Sequence, residues 1–117
     1  MVYVAYFFTA IFLISGFGHL LAPRLTDGFL PDVLPKQTVQ ILAFVVEVAV
    51  GVGLLLPRFR EPAAWATLVL MVLFLPLHAV DVLRDRPVIG SHTVAYVRVM
   101  VQLLFIYLAW RLVQAAG

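Results

Sequence analysis

Four long apolar runs, at about 2–22, 38–56, 63–83 and 93–113, alternate with short stretches rich in proline, glycine and charge. Each run has close to the ~20 residues that a membrane-spanning helix needs. None shows the period-two alternation of a barrel strand, and all are too long and continuous to be strands. Proline punctuates the pattern. Pro23 ends the first run, Pro57 ends the second, and Pro62 suits the first position of the third helix. Ser91 or Thr93 is placed to cap the fourth. The predicted architecture is an all-α, antiparallel four-helix transmembrane bundle with both termini on one side, residues 1–117 forming a single domain.

The first run lacks a positive n-region and a small-residue cleavage site, so it reads as a retained helix and not as a signal peptide. In the first loop, Phe29-Leu30-Pro31 and Val33-Leu34-Pro35 are too apolar for a free linker. They are expected to lie at the membrane interface or to cap the bundle. Arg58, Arg60 and Arg111 fall on one side of the membrane, and Arg24, Lys36, Arg84 and Arg86 on the other. That near balance gives the positive-inside rule little to act on. The compact double-arginine turn favours cytoplasmic termini. Trp65 and Trp110 suit an interfacial belt.

Composition agrees with the pattern. Hydrophobic residues make up 64% of the chain and charged residues 12%, against about 25% charged in a soluble domain. The net charge of +2 is small and its basic residues sit in short loops, which fits membrane topology and not a nucleic-acid partner. The lipid bilayer is the expected partner, in a bacterial cytoplasmic membrane, with a membrane protein or a second copy of the chain as further candidates. The chain has no cysteine. That excludes disulfides, thiol redox chemistry, thiolate metal sites and lipidated cysteine. No metal site is expected, and redox chemistry would need a bound cofactor or quinone.

The informative residues are those that do not belong in lipid: His19, Glu47, His78, Arg98 and Gln102. Ionisable groups at membrane depth are costly and usually face a partner, a cavity or a ligand. With each run centred in the bilayer, a rise of 1.5 Å per residue puts His19 roughly 10 Å, and His78 about 8 to 9 Å, toward the long-loop side. Arg98 falls in the same half, with Glu47 and Gln102 near the centre. Helical spacing places Arg98 with Gln102, Ser15 with His19, Gln40-Ala43-Glu47-Gly51, and Phe74-His78-Asp81 on shared faces. Phe8, Phe12 and Phe74 are expected to line a site where these stripes converge.

Each residue also has a plainer reading. Glu47 and Arg98 would make a buried ion pair locking the second and fourth helices, because neither persists charged alone in lipid. His19 and His78 would be interhelical hydrogen-bonding residues. Pro76 would bend the third helix and free a carbonyl near Val72. Gly16, Gly18, Gly51 and Gly53 would be close-packing positions. Asp81 and His92 would be solvated near the surface.

The order of these features resembles the DoxX-like family of small membrane proteins. Gly18-His19-Leu20 with Pro23 is similar to the family's first-helix ending, and Phe29-Leu30-Pro31 through Leu34-Pro35 to its proline-rich loop. Glu47, Gly51, Gly53, Leu54-Leu55-Leu56 and Pro57-Arg58 resemble the second helix. Ala64-Trp65, Pro76 and His78 resemble the third, and Arg98-x-x-x-Gln102 the fourth. The resemblance spans nearly the whole chain and implies a four-helix membrane fold. It also implies a redox-linked setting, since some relatives are named for thiosulfate:quinone oxidoreductase subunits and others for redox stress or methylamine utilisation. The fold is similar to that of vitamin K epoxide reductase, whose thiol chemistry cannot apply to a chain without cysteine.

Several functions follow as expectations. A non-catalytic accessory or assembly component of a membrane complex fits the lack of a nucleophile with a base, a phosphate loop or a thiol. A quinone or small hydrophobic ligand site would use the His19, Glu47, His78, Arg98 and Gln102 cluster, where histidine donates hydrogen bonds and a carboxylate relays protons. Ligation of haem b by His19 and His78 is a third reading, and transport through an oligomer a fourth.

Overall fold

The computed structural model describes residues 1–116. Its long helices are α1 (Val2–Leu21), α2 (Lys36–Leu55), α3 (Arg60–Leu83) and α4 (His92–Ala116). They form an all-α bundle packed antiparallel. All four are long and apolar enough to cross a membrane, which makes the chain a multi-pass membrane protein. The bundle's longest dimension is 43 Å, more than the ~30 Å hydrocarbon core of a bilayer.

Local chemistry sets the helix ends. The Ala22 amide closes α1 on the Gly18 carbonyl at 2.8 Å, and Pro23 supplies no donor to continue it. Two short 3-10 turns, Pro23–Leu25 and Asp27–Phe29, then fold the first loop back over the bundle. α2 begins directly after Pro35. Its last carbonyls are left without intrahelical donors. Arg60 answers them, with Nε donating to Leu54 O at 2.9 Å and Nη2 to Leu55 O at 3.5 Å. α3 therefore starts at Arg60, with Pro62 inside its first turn. Ser91 caps α4, its Oγ accepting from the Val94 amide at 3.1 Å.

The helices pair as two hairpins, α1 with α2 and α3 with α4. α2 and α3 join the hairpins along one seam, and α1 meets α4 sparingly. α1 and α2 approach closely. A Cβ on Gly16 would stand 3.0 Å from Val48 Cγ2, and one on Gly51 would stand 3.3 Å from Phe12 Cβ. Thr9 Oγ1 donates to the Gly51 carbonyl at 2.8 Å across the same contact. Gly53 is equally tight, 3.1 Å from Ala63 Cβ, whereas a Cβ on Gly18 would enter open space. Gly18 is thus not a packing position.

The two halves of the bundle differ. Toward the termini lies the apolar core of Phe8, Phe12, Leu54, Ala64, Met71, Ala109 and Leu112, all nearly or fully buried. The Phe7 and Phe8 rings meet Phe105 edge-on there, which ties α1 to α4. Phe8 and Phe12 therefore fill the core and do not line a site. The outward faces are apolar and exposed, with Ile14, Leu73, Met100 and Leu104 among them, as lipid contact requires. Trp65 and Trp110 sit near the terminal end of the bundle, about half exposed.

Candidate functional site

The long-loop half is not filled. Between the hairpins lies a cavity of about 310 Å³. α1 contributes Ser15 and His19, and α2 contributes Val39, Gln40, Ala43 and Glu47. α3 contributes Phe74, Leu77 and His78, and α4 contributes Arg98. Thr26, Phe29 and Leu30 of the first loop roof it. His19, Glu47, His78 and Arg98 thus share one wall-to-wall space, and Phe74 stands among them as expected.

The side chains pair differently from the expected Glu47–Arg98 lock. Glu47, 2% exposed, has its Oε2 3.3 Å from His19 Nε2. No carboxylate lies within ion-pair distance of Arg98 among the described residues. The reason is geometric. α1 and α2 are pressed together at Gly16 and Gly51, both on the terminal side of His19, so the α1 histidine reaches Glu47 before anything on α4 does.

Gln40 determines the protonation of His19. The amide Nε2 of Gln40 donates to Pro23 O at 3.2 Å and to Asp27 Oδ1 at 2.9 Å. Both are pure acceptors, which fixes the amide orientation. Gln40 Oε1 must then face His19 Nδ1, with which it pairs, and it also accepts from Thr26 Oγ1 at 3.0 Å. His19 Nδ1 is accordingly the N–H donor. Its Nε2 faces a carboxylate oxygen, and a lone pair there would be repelled. Protonation of either partner makes this 3.3 Å contact favourable, although Glu47 Oε2 itself makes no hydrogen bond. With both ring nitrogens committed, His19 has none free for an axial haem bond.

A second cavity of about 310 Å³ lies on the other side of the His19–Gln40 pair, among Pro23, Asp27, Lys36 and Gln37. Those two side chains form the partition between an outer vestibule and the inner space.

Arg98 has its guanidinium carbon 5.4 Å from the centre of the Phe105 ring, a cation–π contact. Its Nη1 is buried without a hydrogen-bond partner. His78 packs edge-on against Phe29, with centroids 5.4 Å apart, and this contact holds the roof to α3.

Gln102 does not join the cluster. It is fully buried one turn deeper, where Nε2 donates to the Met71 carbonyl at 2.6 Å. Met71 stands next to Val72, whose carbonyl loses its helical donor at Pro76. Gln102 is a bolt between α3 and α4 beside the proline. Asp81 is not solvated: it is 1% exposed and accepts from the Val88 amide at 2.7 Å, the Ile89 amide at 3.3 Å and Arg84 Nη1 at 3.0 Å. It folds the 84–90 loop onto the end of α3. His92 reaches the Arg84 carbonyl of that loop at 2.7 Å.

Several lining residues carried little signal in the sequence. Gln40 is the exception, seven positions before Glu47 on the helical stripe that the sequence marks. Thr26, Phe29 and Leu30 reach the site only because the 3-10 turns fold the loop inward.

A family model described as a domain of unknown function (DUF8561) matches residues 8–113, so the chain belongs to that family. The DoxX-like family produced no match. Comparison with curated proteins and with solved structures likewise gave no match.

Proposed function

We propose that this member of the DUF8561 family binds a small amphipathic molecule within the membrane, in the cavity between its two hairpins. One observation carries the reading: the intramembrane cavity of about 310 Å³ has His19, Glu47, His78 and Arg98 on its walls instead of paired across a filled core. Its size is at the lower end of small-ligand pockets, which run about 300–1,000 Å³. The lining is mostly apolar, with a few convergent polar groups, the usual composition of such a pocket. The occupant has a hydrogen-bonding head near Arg98 and His78 and an apolar body against Phe74, Leu77 and Phe29. A quinone is one molecule of this description, and a redox-linked role in a bacterial cytoplasmic membrane, with DoxX-like kinship, belongs to the same proposal.

The accessory or assembly reading needs the polar cluster only as a lock. A lock calls for Glu47 and Arg98 to satisfy each other, and the missing contact weighs against it. The test is saturable binding of a short-chain quinone or another single-chain amphipath to purified protein in nanodiscs, against empty discs. Ala43→Phe places a ring in the cavity and is expected to abolish binding while the protein remains folded. Failure of every such probe to saturate, or equal binding by the variant, would overturn the proposal.

A further inference from the structure

The charges lining the cavity do not cancel. Arg98 is always protonated, and no carboxylate stands within ion-pair distance of it among the described residues. Glu47 faces His19 at 3.3 Å and is not within ion-pair distance of Arg98. When one proton lies between them, that pair sums to zero whether it sits on Nε2 or on the carboxyl oxygen. His78 contributes nothing when neutral and a second positive charge when protonated. The other nearby carboxylates are engaged: Asp27 accepts from Gln40 outside the cavity, and Asp81 is held by Arg84 and two loop amides. With the His19–Glu47 pair neutral overall, the cavity carries a net positive charge at Arg98. The Phe105 ring faces the guanidinium at 5.4 Å but supplies no countercharge.

An uncompensated cation in a mostly apolar cavity within the membrane is unfavourable. A buried Nη1 without an acceptor adds to that cost. Both are relieved by one anionic oxygen placed against Arg98, whose planar fork suits a carboxylate or phosphate. We infer that the natural occupant is an anionic amphipath, a carboxylate or phosphate head seated on Arg98 with a single apolar chain along Phe74 and Leu77. This rests on the ligand-binding function proposed above and narrows it, placing a neutral quinone below a charged ligand of equal size. The small volume favours a single chain over a diacyl lipid taken in whole.

Octanoate and octanamide, which differ in head charge at equal length, provide the test. Their binding is measured on purified protein in phosphatidylcholine nanodiscs, with empty discs as the blank. Octanoate is expected to bind at least about tenfold more tightly than octanamide. Arg98→Gln should reduce that ratio to near one, and Arg98→Lys should retain part of it. Discs containing phosphatidylglycerol identify the source of the anion: competition with octanoate points to a lipid headgroup, and lack of competition to a free carboxylate. Octanamide binding within about twofold of octanoate to the unmodified protein would overturn the charge assignment and leave the ligand site standing. Saturable binding of neither would overturn the ligand site itself. The wild-type ratio decides the question even if Arg98→Gln fails to fold.

Discussion

Replacing His19 by alanine should destabilise the bundle sharply, and adding Glu47→Gln should recover much of the loss. The two side chains stand 3.3 Å apart with side-chain exposures of 15% and 3%. At that separation an effective dielectric of 20 gives a Coulomb energy of about 5 kcal/mol, an upper bound that desolvation reduces. Removing the histidine alone strands Glu47 in a site where it is 2% exposed, and breaking a buried pair this way costs about 3–5 kcal/mol. Glu47→Gln alone is milder, about 1 kcal/mol, because the new amide donates to an unprotonated His19 Nε2 and one hydrogen bond replaces another. In His19→Ala the second substitution exchanges a stranded acid for a neutral amide, so its sign reverses. Unfolding by SDS titration in mixed micelles on all four members of the cycle should return a coupling of about 2–3 kcal/mol. Costs that add within about 0.5 kcal/mol would refute the coupling of His19 to Glu47.

Other changes test the packing around the site. Gly51→Val should destabilise by about 1–3 kcal/mol, since even its Cβ meets Phe12. Gly18→Ala should be neutral or stabilising by up to about 1 kcal/mol, because the position is open and alanine is the better helix former; both are read by the same SDS titration. Asp81→Asn should loosen the 84–90 loop by about 1–3 kcal/mol, seen as faster amide exchange at Val88 and Ile89 while α4 stays protected. Gln102→Leu should stay within about 1 kcal/mol of wild type, because the lost bond to Met71 is offset by removal of a buried Oε1 without a partner.

Depth was legible in the sequence, and lateral pairing was not. Continuous apolar runs fix where each helix enters and leaves the bilayer. The constant rise per residue then puts His19, Glu47, His78 and Arg98 in one half of the bilayer or at its centre, and the structure brings all four to one cavity. Which side chain meets which depends on helix rotation and on hairpin pairing. Those are set by contacts such as Gly16 against Val48, too local to leave a periodic trace. The Glu47–Arg98 pairing failed for that reason. Gln102 shows the related limit of a shared helical face. It lies four residues from Arg98, yet one turn of depth is enough to place it against Met71 and out of the cavity. Asp81 looked solvated because arginines and a proline follow it, and only the folded loop shows that its oxygens are occupied.

The central claim is that the space between the hairpins holds a ligand. Native mass spectrometry of protein released from nanodiscs, with the wild type beside Ala43→Phe, tests it most directly. The wild type is expected to carry about one small single-chain amphipath per protein, absent from the variant at equal thermal stability. A bare wild-type chain, or the same adduct on both proteins, would contradict it.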